Sequence, residues 1–296
     1  MRRGDVTFWF DEGVLQAWHH QNLGRKVGRP FVYADLAIES LLMLRELFRL
    51  PYRQTEGLGR ALIKLLEADV AVPDFTSLAK RADKSNVSPS RDKAAVDKAG
   101  PIDVVVDSTG LKVYGEGEWK VRQHGVGKRR TWRKLHLAVN PATHEIVAQT
   151  LTDNDVHDAD QVEPLLEQVD GRVETFYGDG AYDQWKVYDG LEARGVDSII
   201  PPRKNAKIKQ HGNSAADPLP RDECLRQIRR DGRKAWKQSI GYHRRSLAET
   251  AMHRMKACFG GSLKNRTLDN QQTEVALRCK LLNLFVTLGM PAFLWS

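Results

Sequence analysis

The chain has 296 residues, 41% of them hydrophobic, a formal net charge of +8 and 3 cysteines. That is length enough for one large domain with a smaller companion and apolar enough for a true core, which excludes a disordered or low-complexity chain. Cys224, Cys258 and Cys279 lie far apart without metal-binding spacing, Met1-Arg2-Arg3 opens no signal peptide, and no apolar run reaches the length of a membrane span; a disulfide scaffold, a structural zinc site and a membrane protein are excluded, and the expected place is a reducing cytoplasm.

The first 83 residues read as helical. Tyr33 to Phe48 is rich in good helix formers and stops before Pro51. A second helix is predicted over about Arg53–Glu67, with Leu58, Leu62, Leu65 and Leu66 at helical spacing. After Pro73-Asp74 a short helix, Phe75–Ala82, carries Thr76, Ser77, Lys80 and Arg81. Helix, break and short helix are compatible with a DNA-reading helix-turn-helix, in which Lys80 and Arg81 would face the nucleic acid; any three-helix bundle would give the same pattern. Residues 84–100 are polar, with serines and a proline, and read as a linker.

From Pro101 the texture alternates. Ile102–Val106 is a β-branched run expected to stop at Asp107-Ser108-Thr109-Gly110. Strands are predicted at Thr131–Val139 and Glu145–Thr152, joined by a hairpin connection at Asn140–His144. A helix follows at about Asp158–Val169, then a strand Val173–Tyr177 that stops at Gly178-Asp179-Gly180. A helix over about Gln184–Ala193, a strand Ser198–Ile200, a basic irregular stretch, and helices around Glu249 and over Thr273–Leu288 complete the order. Such alternation predicts an α/β domain over residues 101–296 with a mixed, helix-flanked sheet.

The positive charge is concentrated. Arg203 to Lys256 holds 15 Lys and Arg against 5 Asp and Glu, more than the whole chain's excess. With Trp236, Tyr242 and several histidines interspersed, this block favours a polyanionic partner, nucleic acid first. Within it, Tyr242, Arg245, Glu249 and Lys256 fall inside an arc of about 60° on a helix at 100° per residue. Leu247, Ala248, Ala251 and Met255 lie on the opposite side. The helix therefore packs through one face and offers a carboxylate among cations on the other. A solvated helix with an Arg245–Glu249 pair is the plainer alternative.

Asp107, Asp179 and Glu249 thus sit at two expected strand ends and on the following helix, where an open α/β sheet places its ligands. Three converging carboxylates need a cation, and oxygen-only ligands suit Mg²⁺ or Mn²⁺. Two such ions can activate an attacking oxygen and stabilise a leaving one in phosphodiester displacement. Taken singly, Asp107 could cap a turn and Asp179 could sit in a plain glycine-rich loop. Lys134 and His136 alternate with Arg130 and Trp132 along one strand, and that face would either meet a DNA backbone or be solvated. Trp132 is read as core rather than base-stacking. His157-Asp158 lies in a stretch that would reach the site, with a helix cap at Asp158 as the alternative.

Val104-Val105-Val106-Asp107-Ser108-Thr109-Gly110, Tyr177-Gly178-Asp179-Gly180-Ala181-Tyr182-Asp183 and Tyr242-x2-Arg245-x3-Glu249-x6-Lys256 together resemble the motifs of bacterial insertion-sequence transposases of the aspartate–aspartate–glutamate (DDE) type. The resemblance is to the insertion sequence four and five superfamily, most like the insertion sequence five family. Thr7-Phe8-Trp9-Phe10-Asp11-Glu12, the run Tyr33–Thr55 and Pro73–Leu78 also look like that family, so the likeness spans the chain. Residues 201–241 are too few for the large β insertion of the insertion sequence four relatives. The resemblance implies a ribonuclease H-like catalytic domain after an all-α DNA-binding domain (1–83), with Asp107, Asp179 and Glu249 as the metal-holding triad. Two Mg²⁺ ions would serve it, with Mn²⁺ able to replace them. Tyr242, Arg245 and Lys256 would contact the transposon end. The expected activity is cutting at terminal inverted repeats of double-stranded DNA and joining the 3′ ends to target DNA, by a homodimer or higher oligomer in the bacterial cytoplasm, nucleoid-associated. An endonuclease that cuts without joining, or a DNA-binding regulator, are the rivals.

Overall fold

A computed structural model describes residues 12–21, 30–82, 87, 100–113, 132–210 and 218–288. The Thr7–Asp11 motif, most of the 84–100 linker and the pair Arg129-Arg130 lie outside the described residues. After a short helix α1 (Glu12–Gln16) come α2 (Asp35–Phe48), α3 (Tyr52–Leu65) and α4 (Phe75–Ala82). Helix α2 ends where Arg49 turns left-handed at φ 55° and the backbone N–H of Leu50 returns to Arg45 O; Pro51 then starts α3. The α3–α4 connection, residues 66–74, is longer than the three- or four-residue turn of a helix-turn-helix.

The sheet is built from β1 (Ile102–Val113), β2 (Trp132–Val139), β3 (Ile146–Asp153), β4 (Val173–Tyr177), β5 (Asp197–Ile199) and a short β6 (Ser262–Leu263). Its order is β3-β2-β1-β4-β5, with β6 pairing the far end of β1. The β1–β2 and β2–β3 pairs are antiparallel, and β1–β4 and β4–β5 are parallel. This mixed, helix-flanked sheet is the ribonuclease H-like architecture. The β2–β3 turn is held by Asn140 Oδ1, which accepts from the N–H of Ala142 and of Thr143, and His144 takes a left-handed φ of 62° to close it.

Because side chains alternate along a strand, the sheet buries two faces. Val104, Val106, Ala138, Ala148 and Phe176 meet the helix pair α5 (Val162–Leu166) and α6 (Trp185–Ala193). Val105, Leu111, Leu135, Leu137, Val139 and Leu151 meet α9 (Ser246–Phe259) and α10 (Leu268–Thr287). The N-terminal helices join this second face: Ile38, Leu41 and Leu42 share a core with Val275, Leu281 and Met252. Buried charges stitch the same contact. Arg278 reaches Glu46 at 3.3 Å and pairs with Glu274, and Arg45 meets Glu46 at 2.5 Å.

Two differences from the sequence reading matter for the site. Strand β1 does not stop at Asp107; it runs on for 12 residues in all, because Asp107 to Lys112 pair in register with Leu137 to Trp132. And the basic stretch read as irregular contains two helices, α7 (Pro220–Asp231) and α8 (Arg233–Ser239).

Candidate active site

Strand parity decides which way Asp107 points. Val104 and Val106 belong to the α5/α6 face, so Asp107 shares the face of Val105, where α9 packs. The parallel partner β4 pairs β1 only as far as Val105, opposite Tyr177. Beyond it, one flank of β1 has no β4 strand beside it, and on the α9 face Asp107 meets Arg245. Asp179 lies two residues past the end of β4, near enough for its charge to act on Asp107. Its carboxylate accepts from the Ala181 N–H at 2.8 Å, which fixes the loop as a 3-10 turn. Gly178 is required there: a Cβ would come within 2.9 Å of Phe176 and 3.0 Å of the Tyr182 ring.

The Tyr242–Lys256 segment is not one helix. Gly241, at φ 65°, opens a 3-10 turn over Tyr242–Arg245, and α9 begins at Ser246. Three residues per turn keep Tyr242 and Arg245 nearly eclipsed, so the face survives the change of helix type. The packing side is as expected: Ala248, Ala251, Met252, Met255 and Phe259 are buried.

Arg245 ties the pieces together. One guanidinium nitrogen is 3.0 Å from Asp107 Oδ2 and the other donates to Glu249 Oε1. Two carboxylates from different elements thus share one planar cation. Burial raises the Asp107 pKa, and the charges of Asp179 and Glu249 raise it further, while the Ser108 N–H bond and Arg245 oppose them. Asp179 and Glu249 thus both stand near enough to act on Asp107. Lys256 Nζ is 2.6 Å from Thr109 Oγ1, farther along β1. Tyr242 is half-buried, with Lys237 Nζ 4.7 Å from its ring centre. Burial raises its pKa; Arg245 opposes this and the three carboxylates add to it.

The donor chemistry fits a divalent cation: three carboxylates and no soft ligand. Among the described residues no three His, Cys, Asp or Glu side chains stand close enough to hold one ion as they are placed. The position between Asp107 and Glu249 is taken by the Arg245 guanidinium, a stand-in cation.

The remaining sequence candidates divide. Lys134 Nζ donates to Val156 O at 2.7 Å and stands 3.2 Å from Asp158 Oδ1. His136 is fully buried, 3.0 Å from Thr152 Oγ1 and 3.6 Å from Asp158, and burial lowers its pKa to about 4. Asp158 caps no helix: the N-cap position is His157, and it makes no side-chain cap bond. Trp132 is half-buried against Lys112 and Gly110. In α4, Lys80 is exposed, whereas Arg81 pairs with Asp35, donates to Tyr33 O and lies over the Phe31 ring.

Sequence reasoning missed two contacts. Asp183, last residue of the Gly-Asp-Gly-Ala-Tyr-Asp run, is buried and takes Arg221 of α7 at 2.6 Å, the Arg203 N–H at 2.8 Å and the Tyr188 hydroxyl at 3.1 Å. Arg244 reaches Asp103 at 2.7 Å. The sequence carries a signal for the first, a second aspartate in the glycine-rich loop with an Arg-rich stretch downstream, and none for the second.

A family model described as transposase DDE domain matches residues 98–284, and a second with the same description matches residues 1–116. Among solved structures, the chain is similar to a piggyBac transposase synaptic complex with hairpin DNA at 9% identity, covering 95% of this chain and 73% of that one, with a TM-score of 0.43. The Mos1 mariner paired end complex with Mn matches at 14% identity, covering 88% and 82%, with a TM-score of 0.23. The Mos1 strand transfer complex matches at 13% identity, covering 88% and 78%, with a TM-score of 0.24.

Proposed function

The chain belongs to the transposase DDE domain family and is a DNA transposase, a metal-dependent enzyme that cuts and joins DNA strands; on that premise we propose that Asp107, Asp179 and Glu249 are its metal-holding triad. The observation that carries this is the Arg245 bridge. It shows a carboxylate of β1 and a carboxylate of α9 already sharing one cation, with the Asp179 loop beside them. We assign two Mg²⁺ ions to the site, with Mn²⁺ as the substitute, and membership of the insertion sequence five group. The partner is double-stranded DNA, the element's terminal inverted repeats and a target, engaged by a dimer or higher oligomer.

Asp107, Asp179 and Glu249 would hold the divalent cations, which when bound would supply charge stabilisation to the attacking and leaving oxygens. The residues do the rest. In cleavage a water oxygen bonds to the phosphorus at the element's end, the bond from phosphorus to the 3′ oxygen breaks, and that oxygen leaves as a 3′-hydroxyl. In joining, the same 3′-hydroxyl attacks a target phosphate: one P–O bond forms, one breaks, and no outside energy source is needed. Both are in-line displacements, so one constellation serves both. Arg245 and Lys256 offer charge-assisted donors to the phosphate oxygens, and the Tyr242 hydroxyl a further donor. Helices α7 and α8 carry the basic block alongside. We assign residues 1–83 the recognition of the terminal repeat, with Lys80 as the α4 cation that faces DNA and Arg81 holding α4 to the Tyr33–Asp35 segment. Residues 101–296 carry the catalysis, and Lys134, bonded to Val156 O and beside Asp158, orders the loop after β3.

The test uses the inverted repeats that border the reading frame. Purified protein, labelled repeat duplex, Mg²⁺ and a circular target should yield nicked 3′ ends and then joined products. Bound but uncut DNA in Mg²⁺ and in Mn²⁺ would contradict the proposal; cutting without joining would reduce it to an endonuclease.

A further inference from the structure

Arg245 makes two contacts of different kinds. The pair with Glu249 is local, four residues along the chain. The pair with Asp107 spans 138 residues and two elements. A guanidinium forked in this way reaches the two carboxylates through separate nitrogens, whereas an ammonium would have to draw both to its one nitrogen at the end of a different, unforked arm. The bridge is half-enclosed: the Arg245 side chain is 21% exposed and that of Asp107 16%. It also occupies the space between the two oxygens that would have to converge on a metal ion; burial disfavours its charge there, and the charges of Asp107, Glu249 and Asp179 more than offset this.

We propose that Arg245 is a phosphate-released latch on the triad. In the DNA-free protein its guanidinium competes with divalent cations for Asp107 and Glu249; when a DNA phosphate enters, Arg245 transfers to it and frees both carboxylates. The proposal rests on the assignment of Asp107, Asp179 and Glu249 as the metal site. Both states are chemically satisfied. Before DNA arrives, the guanidinium has two carboxylate acceptors. Afterwards it has phosphate oxygens, which suit the same planar fork, and the carboxylates are open to metal. Such an exchange makes metal and DNA binding mutually reinforcing, and linkage requires the reinforcement to be the same in both directions. Its consequence is protective: the nuclease chemistry is assembled only where there is DNA to receive it. Lys256, bonded to Thr109 and to no carboxylate of the triad, supplies an internal comparison, because removing it changes the local charge without touching the bridge.

The experiment measures Mn²⁺ affinity directly, from the electron paramagnetic resonance signal of free Mn²⁺, with and without a short duplex of arbitrary sequence at low salt. The wild-type protein should bind Mn²⁺ more tightly with DNA, by a factor in the usual coupling range of about 5–150-fold. Arg245→Lys keeps the charge and loses the two-armed bridge. Its DNA-free affinity should rise about fivefold or more, and the DNA enhancement should shrink by the same factor. Lys256→Ala should change the DNA-free affinity less than Arg245→Lys does. An Arg245→Lys protein whose DNA-free Mn²⁺ affinity equals or falls below that of the wild type would overturn the latch and leave Arg245 as a brace that holds Glu249 in place. So would a wild-type affinity indifferent to DNA. Asp107→Asn and Glu249→Gln form the separate arm. Loss of Mn²⁺ binding in both supports the metal site, whereas wild-type Mn²⁺ affinity in both would sink the metal site itself, and the latch with it.

Discussion

His136 shows how far the site's surroundings depart from water. It is fully buried between Thr152 and Asp158, and burial holds its pKa at about 4 against 6.5 in a free side chain. The folded protein therefore keeps it neutral where the unfolded chain takes up a proton. The stability it protects is fully present above about pH 6.5 and is lost as the pH falls towards about 4. At 1.36 kcal/mol per unit this is about 3 kcal/mol. Urea titrations across that window should show the loss, and His136→Gln should flatten the slope; an unchanged slope would mean that the ring is protonated or accessible in the folded state. At the same scale, the β-branched run Ile102–Val106 leading into Asp107 was legible in the sequence. What was not legible was that the strand continues. Asp-Ser-Thr-Gly has turn chemistry, and only pairing with Leu137 to Trp132 pulls it into the sheet.

At the scale of elements, Asp183 ties the basic helix α7 to the loop that carries Asp179. Asp183 is buried and accepts two bonds from Arg221, and these hydrogen bonds, with the Arg221 charge, keep its pKa below the usual carboxylate range despite burial. This contribution is present at neutral pH and lost as the pH falls through and below the ordinary carboxylate value. Asp183→Asn should leave Arg221 partly unpaired and cost about 3–5 kcal/mol, the usual penalty for breaking a buried pair. Thermal unfolding would register it. A loss within about 0.5 kcal/mol, typical of surface changes, would show that α7 is anchored elsewhere. The two helices escaped sequence reasoning because their apolar content is thin: between Pro220 and Ser239 only Asp222, Leu225 and Trp236 are buried. A helix whose perimeter is mostly Arg and Lys gives little 3.6-residue apolar signal, and Gly232 breaks what signal there is. By contrast α2, α3, α4, β4 and α10 were legible to within a few residues, because each pairs an apolar stripe or run with a proline, glycine or aspartate boundary.

Across the whole molecule, the helices of 35–82 and the sheet share a core. Length and composition suggested two units; the packing of α2 on α10 joins them. The joint is partly ionic. Arg278 and Glu274 are 1% exposed and Glu46 2%, and such a network is costly to break from one side. Arg278→Met should destabilise by about 3–5 kcal/mol, since it takes the cation from the buried Glu274 and leaves Glu46 with Arg45 alone. The chain should also unfold in a single transition, with tryptophan fluorescence and far-ultraviolet dichroism coincident, because Trp18 lies buried on the helical side and Trp236 in the basic block. Two separated transitions would show that the N-terminal helices fold independently of the sheet.

The fold sets Asp179, from the loop after β4, and Glu249, from α9, near Asp107 of β1, and the central claim is that these three hold the catalytic metals. The most direct measurement is single-turnover cleavage of the terminal-repeat duplex in Mg²⁺ by Asp107→Asn, Asp179→Asn and Glu249→Gln, with DNA affinity and thermal stability recorded for each. Losing a metal-holding carboxylate removes several kcal/mol of transition-state stabilisation, about a thousandfold or more in rate at 1.36 kcal/mol per decade. Each variant should therefore bind the duplex about as well as the parent protein, stay folded and fail to cut it; cleavage at the parental rate by any one of the three would contradict the assignment.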